Sequence, residues 1–345
     1  MSLSARAFAD LLDHLIAGRD LDDAAAGEAL RTIMVGEVPA VPVAGFLVAL
    51  RAKGETAAEI AGLARVMREH ARKITAPPGA VDTAGTGGDR AGTFNVSTLS
   101  ALVVAAAGTP VVKHGNRAAS GRCGSADLLE AFGVAIELEP EAVQACLDTL
   151  GICFCFAPRF HPAMRHVMPA RRDLGVPTVF NILGPLSNPA AVAHQTVGVA
   201  DPTMAPKMAD VLARLGLRHA LVFHGSDGLD ELTTTGPSTV WEVRDGAVQV
   251  STVDPVTLGL DVADPADLRG GGVAENRTIA ERILSGQRGA PRDIVVLGAA
   301  AALYAADAVA DLADGIERAA EAIDSGAAEE LLTRWVTLSR EFAEL

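Results

Sequence analysis

The chain has 345 residues, with 29 Lys plus Arg against 43 Asp plus Glu and a formal charge of −14. Nucleic acid and anionic membrane surfaces select for positive charge, and base stacking needs aromatics, which are only 4% here, so neither is expected as the main partner. Hydrophobic residues at 49% and charged residues at 21% describe a globular chain, long enough for one large domain or two.

Residues 1–75 read as helices. Phe8, Leu11, Leu12, Leu15 and Ile16 make one apolar stripe; Leu30, Ile33 and Met34 a second; Val43, Phe46, Leu47 and Leu50 a third. Thr56 and Glu59 form a capping box ahead of Ile60, Leu63 and Met67, and Gly36, Pro39, Pro42 and Gly54 punctuate the run. A compact helical domain of short hairpins over 1–75 is expected. The first helix already carries Arg6, Asp10 and Asp13, which does not fit a secretory leader. With only Cys123, Cys146, Cys153 and Cys155, the expected location is the cytoplasm. The longest apolar stretches, 98–112 and 294–306, are too short or too interrupted to span a bilayer.

After Pro77, Pro78 and Gly79 the pattern changes. Strands are expected at 80–81, 110–113, 152–156, 195–199, 220–224 and 239–243. Helices alternate with them at 97–107, 126–132, 205–215 and 276–284. Such alternation means βαβ units around a mainly parallel sheet, so 76–345 is expected to form a larger α/β domain. Its ligands belong at the carboxyl ends of the strands. Cys153 and Cys155 lie in an apolar run without a second cysteine pair, which favours a buried strand over half a metal site.

Four segments carry chemistry. The run from Asp82 to Asp89 contains Gly85, Gly87 and Gly88, and Thr93, Asn95, Val96, Ser97 and Thr98 open a helix after it. Glycines let backbone N–H groups approach an anion, and a helix start adds a positive dipole end. No Gly-Lys-Ser/Thr follows and the third glycine is misplaced, so this is neither a Walker loop nor a dinucleotide fingerprint. The run Lys113, His114, Gly115, Asn116, Arg117, Ala118, Ala119, Ser120 and Gly121, with Ser125 beyond, gathers cations and hydroxyls into a second phosphate cradle. Arg165 and Arg171 are each suited to a planar carboxylate, although on composition alone either is more readily a surface arginine. Asp230-Glu231, beyond the strand at 220–224, is either an acidic turn or a pair for Mg²⁺, which takes one or two carboxylates plus phosphates.

Taken together these residues resemble the anthranilate phosphoribosyltransferases, which join anthranilate to 5-phosphoribosyl 1-diphosphate in tryptophan biosynthesis. Segments 82–89, 93–98, 113–120 with Ser125, His161-Pro162 with Arg171, 181–186 and Asp230-Glu231 stand in that family's order and approximate spacing. The resemblance implies a phosphoribosyl diphosphate site at Gly85, Gly88, Asp89, Thr93, 95–98, 113–121 and Ser125. It implies anthranilate contacts at Gly85, Asn116, His161 and Arg171, with His114 and Pro185 lining the approach. Mg²⁺ falls on Ser97, Asp230 and Glu231. A homodimer is implied too, with part of 170–190 packing on the helical domain. Gly121, Pro177 and Gly298 depart from residues common in the family, where serine, arginine and asparagine stand. A pyrimidine nucleoside phosphorylase, or a nucleic-acid-binding relative on the same fold, is the rival reading; the acidic charge and the metal pair count against both.

Overall fold

The computed structural model describes residues 3–118 and 122–344. Four helices come first: α1 (Ala5–Ile16), α2 (Asp23–Met34), α3 (Ala40–Lys53) and α4 (Ala57–Glu69). Then follow β1 (Val81–Gly85), α5 (Val96–Ala106), β2 (Val111–Gly115), α6 (Ser125–Phe132), α7 (Pro140–Leu150) and β3 (Ile152–Phe156). Three short helices, α8 (Ala157–Phe160), α9 (Met168–Leu174) and α10 (Phe180–Leu186), lead into β4 (His194–Gly198), α11 (Ala205–Arg214) and β5 (His219–Gly225). The chain continues with β6 (Ser238–Arg244), β7 (Ala247–Val253), α12 (Val273–Leu284), α13 (Ala290–Ala305), α14 (Leu312–Asp324) and α15 (Ala327–Ala343).

The strands form one sheet in the order β3-β2-β1-β4-β5-β6-β7. The first five run parallel and the last two antiparallel. This is the expected α/β architecture, with two differences. β1 runs on from Val81 to Gly85, because every residue of it pairs with β4, from Val81↔His194 to Gly85↔Gly198. Asp82 and Thr83 are therefore buried strand residues rather than loop. β7 was not expected: the Asp245-Gly246 turn, both residues at positive φ, is a hairpin signal that the alternation of Val248 and Val250 should have completed.

Two hydrophobic cores cover the sheet's faces. On one, Val81, Val111 and Cys153 pack with α5, α7, α13 and α15. On the other, Val197, Val199, Ala220 and Val222 share a core with α1–α4, α10 and α11. Val167, Ala170, Val179, Phe180 and Leu183 join that second core.

The Thr56–Glu59 capping box forms as the sequence indicates. Glu59 does more than cap. Fully buried, it accepts from the Leu21 N–H at 2.9 Å and the Thr56 N–H at 2.8 Å, and pairs with Lys53 Nζ at 2.9 Å. One carboxylate thus ties the start of α2, the end of α3 and the start of α4. Glu59→Gln leaves Lys53 paired with the exposed Asp20 at 2.7 Å, and turns one acceptor into an N–H donor beside the buried Leu21 and Thr56 N–H groups. It is expected to cost about 2 kcal/mol in urea unfolding. A loss of about 0.5 kcal/mol, as for a surface pair, would contradict this.

Candidate functional site

Several of the sequence-predicted residues meet at the carboxyl ends of β1, β2, β4 and β5. Beyond β1, residues 87–92 turn with φ positive at Gly87, Gly88, Arg90 and Gly92. Backbone in that region presents successive N–H groups to one side, the concavity that anions favour. Asn95 caps α5 from a non-helical conformation; its Nδ2 donates to Cys123 O at 3.0 Å, while its buried Oδ1 has no protein partner. Asp89 Oδ1 accepts from the Ala91 N–H at 3.1 Å, and its Oδ2 is likewise unpartnered. Thr93 bridges Arg269. Val96 and Thr98 point into the core, so only backbone or hydroxyl at these positions can face a ligand.

The turn after β5 lies directly on the strand ends. A Cβ on Gly198 would collide with the Asp230 carbonyl oxygen, and one on Gly85 would collide with Asp230 Oδ2. At Gly198 the clash is with backbone and only glycine fits; at Gly85 a Cβ would displace the Asp230 carboxylate. Asp230 Oδ2 accepts the Gly87 N–H at 2.7 Å. Burial, then the neighbouring Asp89 carboxylate, pushes Asp230 up to about 7. Glu231 is raised well above the carboxylate range by burial and Asp230, although Lys113 and a Ser97 backbone hydrogen bond work the other way. Lys113 is buried, donates to Thr83 O at 2.7 Å, and lies 3.5 Å from Ser97 Oγ. Desolvation brings it down to about 8 against the pull of Asp82 and Glu231.

These oxygens suit a hard divalent cation. Unpartnered Asp89 Oδ2 and the mutual repulsion of Asp89, Asp230 and Glu231 are what such a cation relieves. Among the described residues no ready-made group of three or more His, Cys, Asp or Glu encloses an ion. Mg²⁺ is a cation of this hard, oxygen-seeking kind and keeps places for waters and substrate phosphate.

In the second cradle, Asn116 and Gly115 end β2. Ser125 Oγ donates to Asn116 O at 3.2 Å, and Gly124 lets residues 116–118 lie against the start of α6. The Arg117 guanidinium turns away from the site: it pairs with Asp127 at 3.0 Å and Glu130 at 2.8 Å. Its part in a phosphate cradle is thereby confined to backbone. Ala119, Ser120 and Gly121 lie outside the described residues.

His114 and His161 form a buried pair, Nε2 to Nε2 at 3.2 Å. His114 Nδ1 faces the Gly184 carbonyl at 3.1 Å and so carries the hydrogen. Arg171, on α9, holds its guanidinium over the Phe180 ring of α10 at 5.4 Å. Among the described residues it has no carboxylate partner, and burial lowers its pKa. Arg165 is exposed.

Sequence reasoning missed a polar layer beneath the site, formed by Arg68, Asp82, Asn188 and Gln195, all buried. Burial raises Asp82 to about 6 against the pull of Lys113, and lowers Arg68 to about 10. A charged or amide side chain inside an otherwise apolar strand or helix stripe was the available signal.

Two family profiles match the chain: "Glycosyl transferase family, helical bundle domain" over residues 9–71, and "Glycosyl transferase family, a/b domain" over residues 77–329. The chain is 50% identical to the anthranilate phosphoribosyltransferase of Saccharopolyspora erythraea across 99% of its own length and 98% of the relative's. It is similar to the crystal structure of the Thermus thermophilus anthranilate phosphoribosyltransferase, with a TM-score of 0.91 and 47% identity over 96% of this chain and 99% of that one. The Saccharomyces cerevisiae enzyme, solved in complex with PRPP and Mg, aligns with a TM-score of 0.89 and 28% identity over 98% and 99% of the two chains.

Burial holds both imidazoles of the histidine pair neutral, His114 down to about 3 and His161 down to about 4. In the unfolded chain each titrates near 6.5. The folded protein therefore binds fewer protons in between, and the stability these histidines contribute is complete above about 6.5 and lost as pH falls below it. The double variant His114→Asn, His161→Asn should lose stability less steeply than the parent between roughly pH 6.5 and 4.5, by up to about 1.4 kcal/mol per pH unit for each histidine. Parallel unfolding curves for the two proteins would refute a neutral pair.

Proposed function

We propose roles for these residues from one premise: the chain belongs to the anthranilate phosphoribosyltransferase family. It transfers the phosphoribosyl group of 5-phosphoribosyl 1-diphosphate to anthranilate, with Mg²⁺ as cofactor. The observation that supports the assignment of roles is the meeting of the positive-φ turn and the Asp230-Glu231 turn at one strand edge, joined by the Gly87 N–H to Asp230 hydrogen bond. The comparisons give no support to a nucleoside phosphorylase or a nucleic-acid-binding relative.

Donor and acceptor sit on either side of β1 and β2. The amides of Gly88, Asp89, Arg90 and Gly92, with the Asp89 side chain, Thr93, Asn95 and the start of α5, hold the diphosphate and ribose. Residues 113–121 with Ser125 hold the remaining phosphate, chiefly through backbone N–H groups and hydroxyls. Ser97, Asp230 and Glu231 hold Mg²⁺, which when bound supplies a Lewis acid to the departing diphosphate oxygens. Arg171 receives anthranilate's carboxylate in two parallel hydrogen bonds, and Gly85, Asn116 and His161 complete the pocket. The amine nitrogen then forms its bond to ribose C1 as the C1–O bond breaks, its electron pair leaving on diphosphate and the amine proton passing to solvent. His114 orients rather than abstracts. Its Nδ1 is spent on Gly184 O and its Nε2 on His161, so no nitrogen remains for a base.

The division falls near residue 75, with a helical domain before it and the α/β domain after, 170–190 packing on the helical side. Ile16, Val41, Val48, Met168 and Val176 are exposed on α1, α3 and the segment around α9, which supports a homodimer through that side; sedimentation at micromolar concentration should show a dimer. The four cysteines are free, which supports the reducing cytoplasm. No described helix is long and apolar enough to cross a membrane.

Anthranilate fluorescence followed with phosphoribosyl diphosphate and Mg²⁺ tests the whole reading. Asp230→Asn with Glu231→Gln should lose most of kcat while the fold survives. Arg171→Ala should raise KM for anthranilate by roughly 10- to 150-fold with a smaller effect on the diphosphate substrate, and Arg171→Lys should recover part of it. Full activity in the carboxylate variant would remove the metal assignment. Equal effects of Arg171→Ala on both substrates would make that arginine a support of the fold.

A further inference from the structure

The end of α10 is held in an unusual way. The last carbonyls of any helix lack intrahelical partners. Here three successive ones, at Gly184, Pro185 and Leu186, each accept from a side chain of a different element. His114 Nδ1 on β2 lies 3.1 Å from Gly184 O, Gln195 Nε2 on β4 lies 2.6 Å from Pro185 O, and Arg68 Nε on α4 lies 2.7 Å from Leu186 O. Gln195 is fully buried, and its Nε2 also faces Asp82 Oδ2 at 3.3 Å. Both neighbours are acceptors, so the amide nitrogen must point at them, leaving Oε1 without a partner. Asp82 in turn accepts the His114 N–H at 3.2 Å.

We propose that Gln195 is a positioning residue for the acceptor: by holding Pro185 O it sets α10 against β2, and so fixes the wall that His114 and Pro185 present to anthranilate. The inference rests on the acceptor pocket proposed above. Of the donor elements, residues 87–98 and Asp230-Glu231 make no hydrogen bond to α10 among the described residues, and residues 113–118 meet it at His114, which lines the acceptor's approach. Loosening the latch should therefore act on one substrate and spare the other. An amide is suited to the task because it donates at every pH, whereas a carboxyl in its place donates only when protonated.

Two variants test this, in a protein whose parent activity with anthranilate is measured first, so that failure of the function and failure of the latch are told apart. Gln195→Met keeps the volume without a donor. It should raise KM for anthranilate roughly tenfold, the worth of one well-made buried hydrogen bond, and leave KM for phosphoribosyl diphosphate within about twofold. Gln195→Glu places a carboxyl beside Asp82, with His114 and Arg68 as the other titratable groups facing it. The ratio of its anthranilate KM to the parent's should be near one at pH 6 and climb towards the Gln195→Met value by pH 9, while the Gln195→Met ratio stays flat. A rise of both KM values together, an unchanged anthranilate KM, or a Gln195→Glu ratio without pH dependence would overturn the proposal.

Discussion

The site is possible because the turn after β5 lies on the bare ends of two strands. Gly85 and Gly198 are register partners at the ends of β1 and β4; a Cβ at Gly198 would strike the Asp230 backbone, and one at Gly85 would displace its carboxylate. That close approach sets Asp230 on the Gly87 N–H and brings Glu231 to Ser97 and Lys113. A parallel sheet puts its strand ends on one edge. Residues 86–98, 113–118 and 226–231 gather there because β1, β2 and β5 deliver their chains to that edge.

Electrostatics then decide what the edge can hold. A buried charge is tolerated only with compensation, and here compensation is incomplete on both sides. Asp230 rises to about 7 and Asp82 to about 6, while Lys113 falls to about 8. The acidic turn suits a cation, and the backbone N–H groups of the positive-φ turn and the Arg171 guanidinium suit anions, which a magnesium diphosphate and a small carboxylate would supply. The chain's overall charge of −14 is no obstacle, because the cradle relies on local backbone N–H groups rather than on net charge.

Much of this was legible in the sequence. Helical stripes, the Thr56–Glu59 box and the βαβ alternation rest on local periodicity, and local periodicity survives folding. Gly-rich and cationic segments announce themselves by composition. What could not be read was direction. Arg117 looks like a phosphate ligand in the run 113–121, yet its guanidinium pairs with Asp127 and Glu130 on α6. Asp82 looks like the first residue of a loop, yet it is buried in a strand that pairs on both sides. Arg68, Asn188 and Gln195 lie far apart in sequence and meet only through tertiary packing, so no spacing rule finds them.

The central claim is that the Asp230-Glu231 turn and the positive-φ turn work together through a divalent cation on the donor substrate. Calorimetric titration of the protein with phosphoribosyl diphosphate, in Mg²⁺ and in EDTA, tests it without relying on turnover. The account predicts binding at least about tenfold tighter in Mg²⁺, with that difference abolished in the Asp230→Asn, Glu231→Gln protein. Equal affinity in Mg²⁺ and EDTA, or an undiminished Mg²⁺ effect in the variant, would contradict it.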